Sequence, residues 1–444
     1  MYVGKIVTSA MLVAIPILFQ PLGAQSFEVK THTLKNGMKI LVQEDHAIPN
    51  VAFYTFFKIG SRNERPGTTG ISHFFEHMMF NGAKKNGPGE FDRAMESLGG
   101  HNNAYTSNNI TAYQDWFPSG EVNLEKVFDL EADRIRDLSF DPEVIESERG
   151  VVANERRMSV ENNNDGILRE QLSATAYIAH SYMWPVIGWM SDIQSWKMED
   201  LKRHWEMGYA PNNATVVVVG DVKASEVIRL AEKYFEPIPA RDLPPPVTTV
   251  EPPQLGERRT VVRKPAQLPI LFVAYHIPQA DHSDYYALTL LDNILSYGNS
   301  SRLYQRLVDR DQLALGVGSD IGTDIDPGLF TFSARPRANI NPADCEKAIY
   351  DELSKIAADS VTEAELTKAK NQMLADFYRS TQTINGRGNT IGEYEVFFGD
   401  YKKLFKANEE MNKVTIADIK RVAHEYFSEN NRTVATLIPE ETRK

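Results

Sequence analysis

"GISHFFEHMMFNG", residues 70–82, holds two histidines and an acid on a single turn. A helical turn brings positions i, i+3 and i+4 to one side, so His73, Glu76 and His77 share a face. The order is the inverted H-x-x-E-H. Imidazoles and carboxylates are zinc donors, and a catalytic zinc takes three protein ligands and leaves a position open to solvent. His73 and His77 are candidates for two of those ligands, and Glu76 for a general base beside them. Ser72 is expected to cap the helix, and Asn81-Gly82 to stop it. Met78, Met79 and Phe80 make the helix apolar and therefore buried, and a buried histidine needs a partner. The five residues alone also suit an ordinary helix carrying two histidines.

A third ligand must come from elsewhere. Asp141-Pro142 is a helix start, and the apolar positions Val144, Ile145, Val151 and Val152 carry the helix on to Met158. Within it Glu148 and Glu155 are seven residues apart and share a face. Either could reach a metal, and either could be a solvated acid beside Arg149, Arg156 and Arg157. The residue pattern does not choose between them.

Taken together, "GISHFFEHMMFNG" and "ESERGVVANERRM" resemble the zinc helix and ligand helix of the pitrilysin/insulinase family of metallopeptidases. The closer resemblance is to its short-chain branch, which includes the mitochondrial processing peptidase and its bacterial relatives. It implies Glu155 as the third ligand, 78 residues beyond His77, and Glu148 as an outer acid supporting the histidines. A third block, "LGGHNNAYTSNNITAY", is similar to the family's G-G-x-x-N-A-x-T segment, an edge strand that pairs with the substrate backbone. That implies substrate contacts at Asn103, Ala104 and Thr106. An extended peptide adding to such an edge is recognised through its main chain. Read without the family, the same block suits an Asn/Gly-rich turn between strands. His101 is read as a histidine near the site and not as a further ligand.

Composition bounds the rest. The chain has 444 residues, 42% of them hydrophobic, enough for several compact units. A net charge of −12 with no basic cluster argues against nucleic acid. Residues 1–25 read as an export signal: Lys5, a short apolar core from Met11 to Phe19, and small residues before a cut near Gln25. That core is too short to span a bilayer, so no stable span is expected after removal of the signal. The expected location is periplasmic or extracellular, in a bacterium. Cys345 is the single cysteine, so no intrachain disulfide can form.

Along the chain, "FEVKTHTLKNGMKILVQED" reads as a hairpin turning at Asn36-Gly37, followed by a strand at "NVAFYTFFKIG", the zinc helix, the edge strand, the ligand helix and a strand at "NATVVVVG". Pro237 to Pro253 is rich in proline and reads as an extended linker. Beyond it the order recurs: "LPILFVAYHIP", helix "DYYALTLLDNILS", "LFTFSARPR", two helices, and "RTVATLIP". The chain is therefore read as a duplication, with a zinc-bearing half at residues 26–236, a linker at 237–262 and a metal-free half at 263–444. In the second half Ala287 to Leu291 stand where H-x-x-E-H stood, which leaves one zinc per chain. The resemblance implies an α+β fold: two homologous halves, each a mostly antiparallel sheet layered with helices, that enclose a chamber.

The sequence departs from the family at one point. Active enclosures use an arginine and a tyrosine, seven apart, from a second-type half facing the zinc. In "RLVDRDQLALGV" Val308 and Leu315 take those places, and neither can donate to a substrate carbonyl. The chain is thus expected to be the zinc-bearing subunit of a heterodimer rather than of a homodimer. A metal-free sister subunit would supply the Arg/Tyr pair for cutting unfolded peptides or short polypeptides. Asp165 is the one acid considered for holding a basic substrate residue, and it is read as a turn residue. The alternative to an enzyme is a non-catalytic peptide-binding or assembly subunit of the same fold.

Overall fold

The computed structural model describes residues 28–358 and 361–440; the expected export signal lies outside them. The hairpin at Asn36-Gly37 forms as read. Strand β1 (Lys30–Thr33) pairs antiparallel with β2 (Lys39–Glu44), and Gly37 takes φ +92° in the turn. With β3 (Asn50–Phe57), β4 (His101–Thr106), β5 (Thr111–Pro118) and β6 (Ala214–Gly220) they form one sheet in the order β1-β2-β6-β3-β5-β4. Only β2 and β6 run parallel. Strand β6 is buried along its whole length, which explains its unbroken valine run: a strand covered on both faces need not alternate.

The second sheet holds β7 (Arg258–Lys264), β8 (Ile270–Ile277), β9 (Ala314–Ile321), β10 (Gly328–Pro336) and β11 (Arg432–Pro439), in the order β7-β11-β8-β10-β9. Here too one pair, β7 with β11, is parallel and the others are antiparallel. This repeats β2-β6-β3-β5-β4 strand for strand, so the duplication read in the sequence is a duplication of topology, with β1 added in front. The fold is α+β with two mostly antiparallel sheets.

Eight helices accompany the first sheet in sequence: α1 (Ile71–Met78), α2 (Glu90–Ser97), α3 (Glu121–Arg136), α4 (Pro142–Arg156), α5 (Asn164–Ala176), α6 (Met190–Ile193), α7 (Met198–Gly208) and α8 (Ala224–Tyr234). Six more accompany the second: α9 (Tyr285–Ser296), α10 (Pro342–Ala358), α11 (Glu363–Ser380), α12 (Ile384–Phe397), α13 (Ala407–Lys413) and α14 (Ile416–Tyr426). One apolar core lies between each sheet and its own helices.

The opposite faces are covered by exchange. Helix α12 lies on β3 and β6 of the first sheet, and α5 lies on β7, β8 and β11 of the second. Gly388 and Gly392 let α12 approach: a Cβ would fall 2.8 Å from the Tyr54 ring at 388 and 2.0 Å from the Phe56 ring at 392. Leu168 and Leu172 of α5 are buried against Phe272 and Leu437. Asp165, read as a turn residue, lies in the first turn of α5, whose Leu168 and Leu172 find their cover on the distant sheet.

Strand β7 begins at Arg258, inside the segment read as linker, because its backbone pairs with β11. The linker before it is tied down by Glu251, whose carboxylate accepts the N–H groups of Ile178, Ala179 and His180 at 2.9 Å each. Arg62 of the first half pairs with Asp326 of the second, at 2.8 Å from Nε. Among the described residues no helix is long and apolar enough to cross a membrane.

Candidate active site

Helix α1 starts on Gly70, whose φ of +87° and contact with Ile187 exclude a side chain, since a Cβ would lie 2.4 Å from the Ile187 carbonyl oxygen. The expected serine cap is not there. Ser72 sits inside the first turn, and its N–H and that of Gly70 are each donated to the Glu64 carboxylate at 2.7 Å. The Ser72 hydroxyl instead lies 3.1 Å from His204 Nε2. A carboxylate from the preceding loop satisfies the free N–H groups that open a helix as well as a local cap does. Burial pushes Glu64 up to about 8 against the pull of those two N–H groups. His204, also buried, is pushed down to about 3. Neither residue was singled out in the sequence, because nothing local marks a cap lent from elsewhere.

Phe74, Phe75 and Met78 are buried in the core, so His73, Glu76 and His77 are left facing outward. Two hydrogen bonds steady this part of the helix: Tyr113 donates to the Phe75 carbonyl at 3.0 Å, and Asn81 to the His77 carbonyl at 3.2 Å. The imidazole centroids are 4.8 Å apart. Helix α4 starts as read, with Asp141 accepting from the Glu143 N–H at 2.8 Å and Pro142 in the first turn. Its arginines turn away from the acids. Arg149 donates to the carbonyls of Ile193 and Trp196, and Arg156 pairs with Glu170 at 2.8 Å. Glu148 and Glu155 are therefore free to face α1.

Glu148 lies 2.7 Å from His77 Nδ1 and accepts from Asn81 at 2.9 Å. Glu155 stands 3.4 Å from His77 Nε2 and 3.7 Å from His73 Nε2. His73, His77 and Glu155 each offer a donor atom within 4.8 Å of the others, the one such group of three among the described residues. Donors held tetrahedrally about 2.0–2.1 Å from a zinc lie roughly 3.3–3.5 Å apart, so the spacing suits that ion. Glu155 Oε2 and His73 Nδ1 are buried without a hydrogen-bond partner. The Glu155 carboxylate faces both imidazoles, Oε1 toward His73 and Oε2 toward His77, and that arrangement suits a cation.

Burial and the neighbouring acids set the electrostatics of the group. Burial holds the His73 imidazole down at about 4. Burial also opposes charge on His77, but the carboxylates of Glu148 and Glu155 outweigh it and raise His77 to about 9. The His77 imidazole, 3.4 Å away, holds Glu155 below the usual carboxylate range despite its burial. Burial raises Glu76, against hydrogen bonding from Thr106.

Strand β4 lies at the open end of the sheet order and pairs only with β5. A cavity of about 410 Å³ between it and α1 is lined by Glu76, His77, Asn102, Asn103, Ala104 and Glu148, among others. Asn103 and Ala104 thus border the cluster, while Thr106 lies against the Glu76 carboxyl. His101, at the exposed start of β4, borders a different cavity. Asp165 opens α5 and pairs with Arg335 of the second half. Val308 lies in a wide helical turn over Tyr304–Arg310, and Leu315 is 54% exposed on β9. Arg306 nearby is occupied by Asp311, Asp351 and Glu352.

Residues 39–188 match the family model described as Insulinase (Peptidase family M16), and residues 195–373 the one described as Peptidase M16 inactive domain. The zinc protease PqqE of Helicobacter pylori is 34% identical over 423 residues, 94% of each chain. The chain belongs to the insulinase family of peptidases. A crystal structure of a protease from Helicobacter pylori has a TM-score of 0.89 to this insulinase-family chain at 34% identity, covering 93% of this chain and 100% of that one. The probable mitochondrial-processing peptidase subunit beta of Arabidopsis thaliana is 25% identical over 426 residues, 93% of this chain and 78% of its own length. Zinc is the cofactor these family names carry. Within this insulinase-family chain, the match described as inactive takes in α9, where Ala287 to Leu291 replace the histidines and acid of α1.

Proposed function

We propose that the chain is a zinc-dependent endopeptidase, holding one zinc between His73, His77 and Glu155. The observation that carries this reading is the convergence of those three donors, within 4.8 Å of one another, beside an acid and an unpaired strand edge. When bound, zinc supplies Lewis acidity, which polarises a scissile carbonyl and acidifies water. The chain's own residues do the rest. Glu148 accepts the His77 Nδ1 proton and so turns Nε2 toward the cluster. Glu76, raised by burial, takes the proton of the attacking water and passes it to the leaving amine. The free edge of β4 around Asn103 and Ala104 offers the main-chain groups of alternate residues to a substrate laid along it as an added strand.

The partner reading rests on Val308 and Leu315. Aliphatic side chains cannot steady a developing oxyanion, and Arg306 is already paired. We take the chain as the zinc-bearing subunit of a heterodimer whose metal-free sister supplies an arginine and a tyrosine. Substrates are unfolded peptides or short polypeptides, cut after export to the periplasm or beyond.

The test combines metal content with turnover. Zinc-loaded chain, alone and mixed with a metal-free relative, is given a fluorogenic peptide. The pair is expected to cut well and the chain alone slowly. Glu76→Gln is expected to keep one zinc by mass spectrometry or atomic absorption and to lose all but a few per cent of turnover. Retention of more than that removes the base assignment. Full activity of the lone chain, with no gain from any partner, removes the heterodimer.

A further inference from the structure

A second cavity, of about 780 Å³, opens on the opposite face of the first sheet. Its lining runs from His101 on the edge strand across Trp116 and Pro118 of β5 to Ile48 before β3, and it is closed from above by Ile384 and Arg387 at the start of α12. The size is that of a ligand pocket. Its only other charged lining residue is Asp45, and that acid pairs with Arg387, which also donates to Gln43 and to the Thr381 carbonyl. Ile48 is 56% exposed, and Trp116 only half-buried, its indole N–H donating to the Tyr54 hydroxyl at 3.4 Å. This is a charge-compensated, largely apolar chamber for which the reaction at α1 has no use.

The register of β4 connects the two places. Side chains alternate along a strand, and partners across a strand pair share a face. Ala104 packs into the core beneath α1, whereas Tyr105 packs on the α12 side, where its hydroxyl donates to Asn389 at 3.3 Å. His101, four residues before Tyr105, is therefore on the α12 side as well. A peptide added outside β4 inherits this alternation. The residue opposite Ala104 turns toward Glu76, and the residue opposite His101, three positions and about 10 Å along, turns toward the second cavity.

From this register and lining we infer that the cavity is a specificity subsite for one bulky apolar side chain, aromatic or branched aliphatic, of a bound peptide. The residue it takes lies three positions from the one that pairs with Ala104. His101, directly opposite, and Trp116, its partner on β5, supply the contact, and the Asp45–Arg387 pair leaves nothing to attract a charged side chain. This deepens the peptidase reading and rests on it, since it requires a peptide on the β4 edge.

The test uses zinc-loaded full chain with Glu76→Gln, which holds peptide without cutting it, and labelled decapeptides in which a single phenylalanine replaces alanine at each position in turn. Binding is read by fluorescence anisotropy. One position is expected to show affinity on the order of tenfold higher for phenylalanine than for alanine. His101→Asp, at an exposed position that does not endanger the fold, and Trp116→Ala are each expected to cut that gain below about twofold and leave the all-alanine peptide unchanged. Product mapping with the Glu76-intact chain should place the preferred residue three positions from the one paired with Ala104. If peptides bind and are cut but no position shows the gain, or the gain survives both His101→Asp and Trp116→Ala, the subsite is wrong and the peptidase reading stands. If no peptide is bound or cut, the edge reading falls and takes the subsite with it.

Discussion

Glu148 fixes the tautomer of His77 through one 2.7 Å hydrogen bond and is itself fixed by Asn81. Outer acids of this kind typically contribute 10–100-fold in metal affinity. Glu148→Ala is therefore expected to weaken zinc binding by about that factor while leaving the fold intact, as read by competition with a chelator and by circular dichroism. Glu64 acts on the same helix from the other end. Its carboxyl is held above its ordinary value of 4.5, at about 8, so the folded state binds a proton that the unfolded chain has already released. The contribution is fully present below the unfolded value and is lost as pH rises through about 8. Thermal midpoints are expected to fall between pH 5 and 8 in the wild type, and less steeply in Glu64→Gln. Equal slopes would show that Glu64 does not titrate with folding.

The exchange of α5 and α12 is the device that binds the two sheets together. Helix α12 reaches the first sheet only because Gly388 and Gly392 present no side chain to Tyr54 and Phe56. A Cβ at 392 would lie 2.0 Å from the Phe56 ring, so either the helix lifts or the ring leaves its rotamer. Gly392→Ala is expected to destabilise by about 1–3 kcal/mol, despite the better helix propensity of alanine, as measured by urea unfolding. An unchanged midpoint would show that the close approach is not required. Strand β4 is the converse case: it is left unpaired on one side, and edges of that kind are ordinarily protected unless used.

Over the whole molecule, each half is incomplete alone. Residues 28–236 would expose the face of the first sheet that carries Tyr54, Phe56, Val217 and Val219, and the second half would expose Phe272 and Leu437. Exposed apolar faces of that extent aggregate or seek a partner. The first half expressed alone is expected to be insoluble or partly folded, and to recover zinc binding when co-expressed with residues 237–444. A soluble, zinc-binding first half by itself would mean that the exchanged helix contributes little.

What could be read along the chain was whatever depends on residues near one another. The spacing of His73, Glu76 and His77 put them on one helical face, and seven residues separate Glu148 from Glu155 on another. Asn36-Gly37 marked a hairpin, and the repeated order of strands marked the duplication. The family resemblance added the edge strand and the ranking of the two acids, which spacing had left open. Other features join residues distant in sequence and leave no local trace. Glu64 in place of Ser72 at the mouth of α1 is one, the arginines of α4 turned away from the site is another, and the exchange of α5 and α12 is a third. A cap, a pairing or a covered face is a fact about which surfaces meet, and that is settled only when the chain closes on itself.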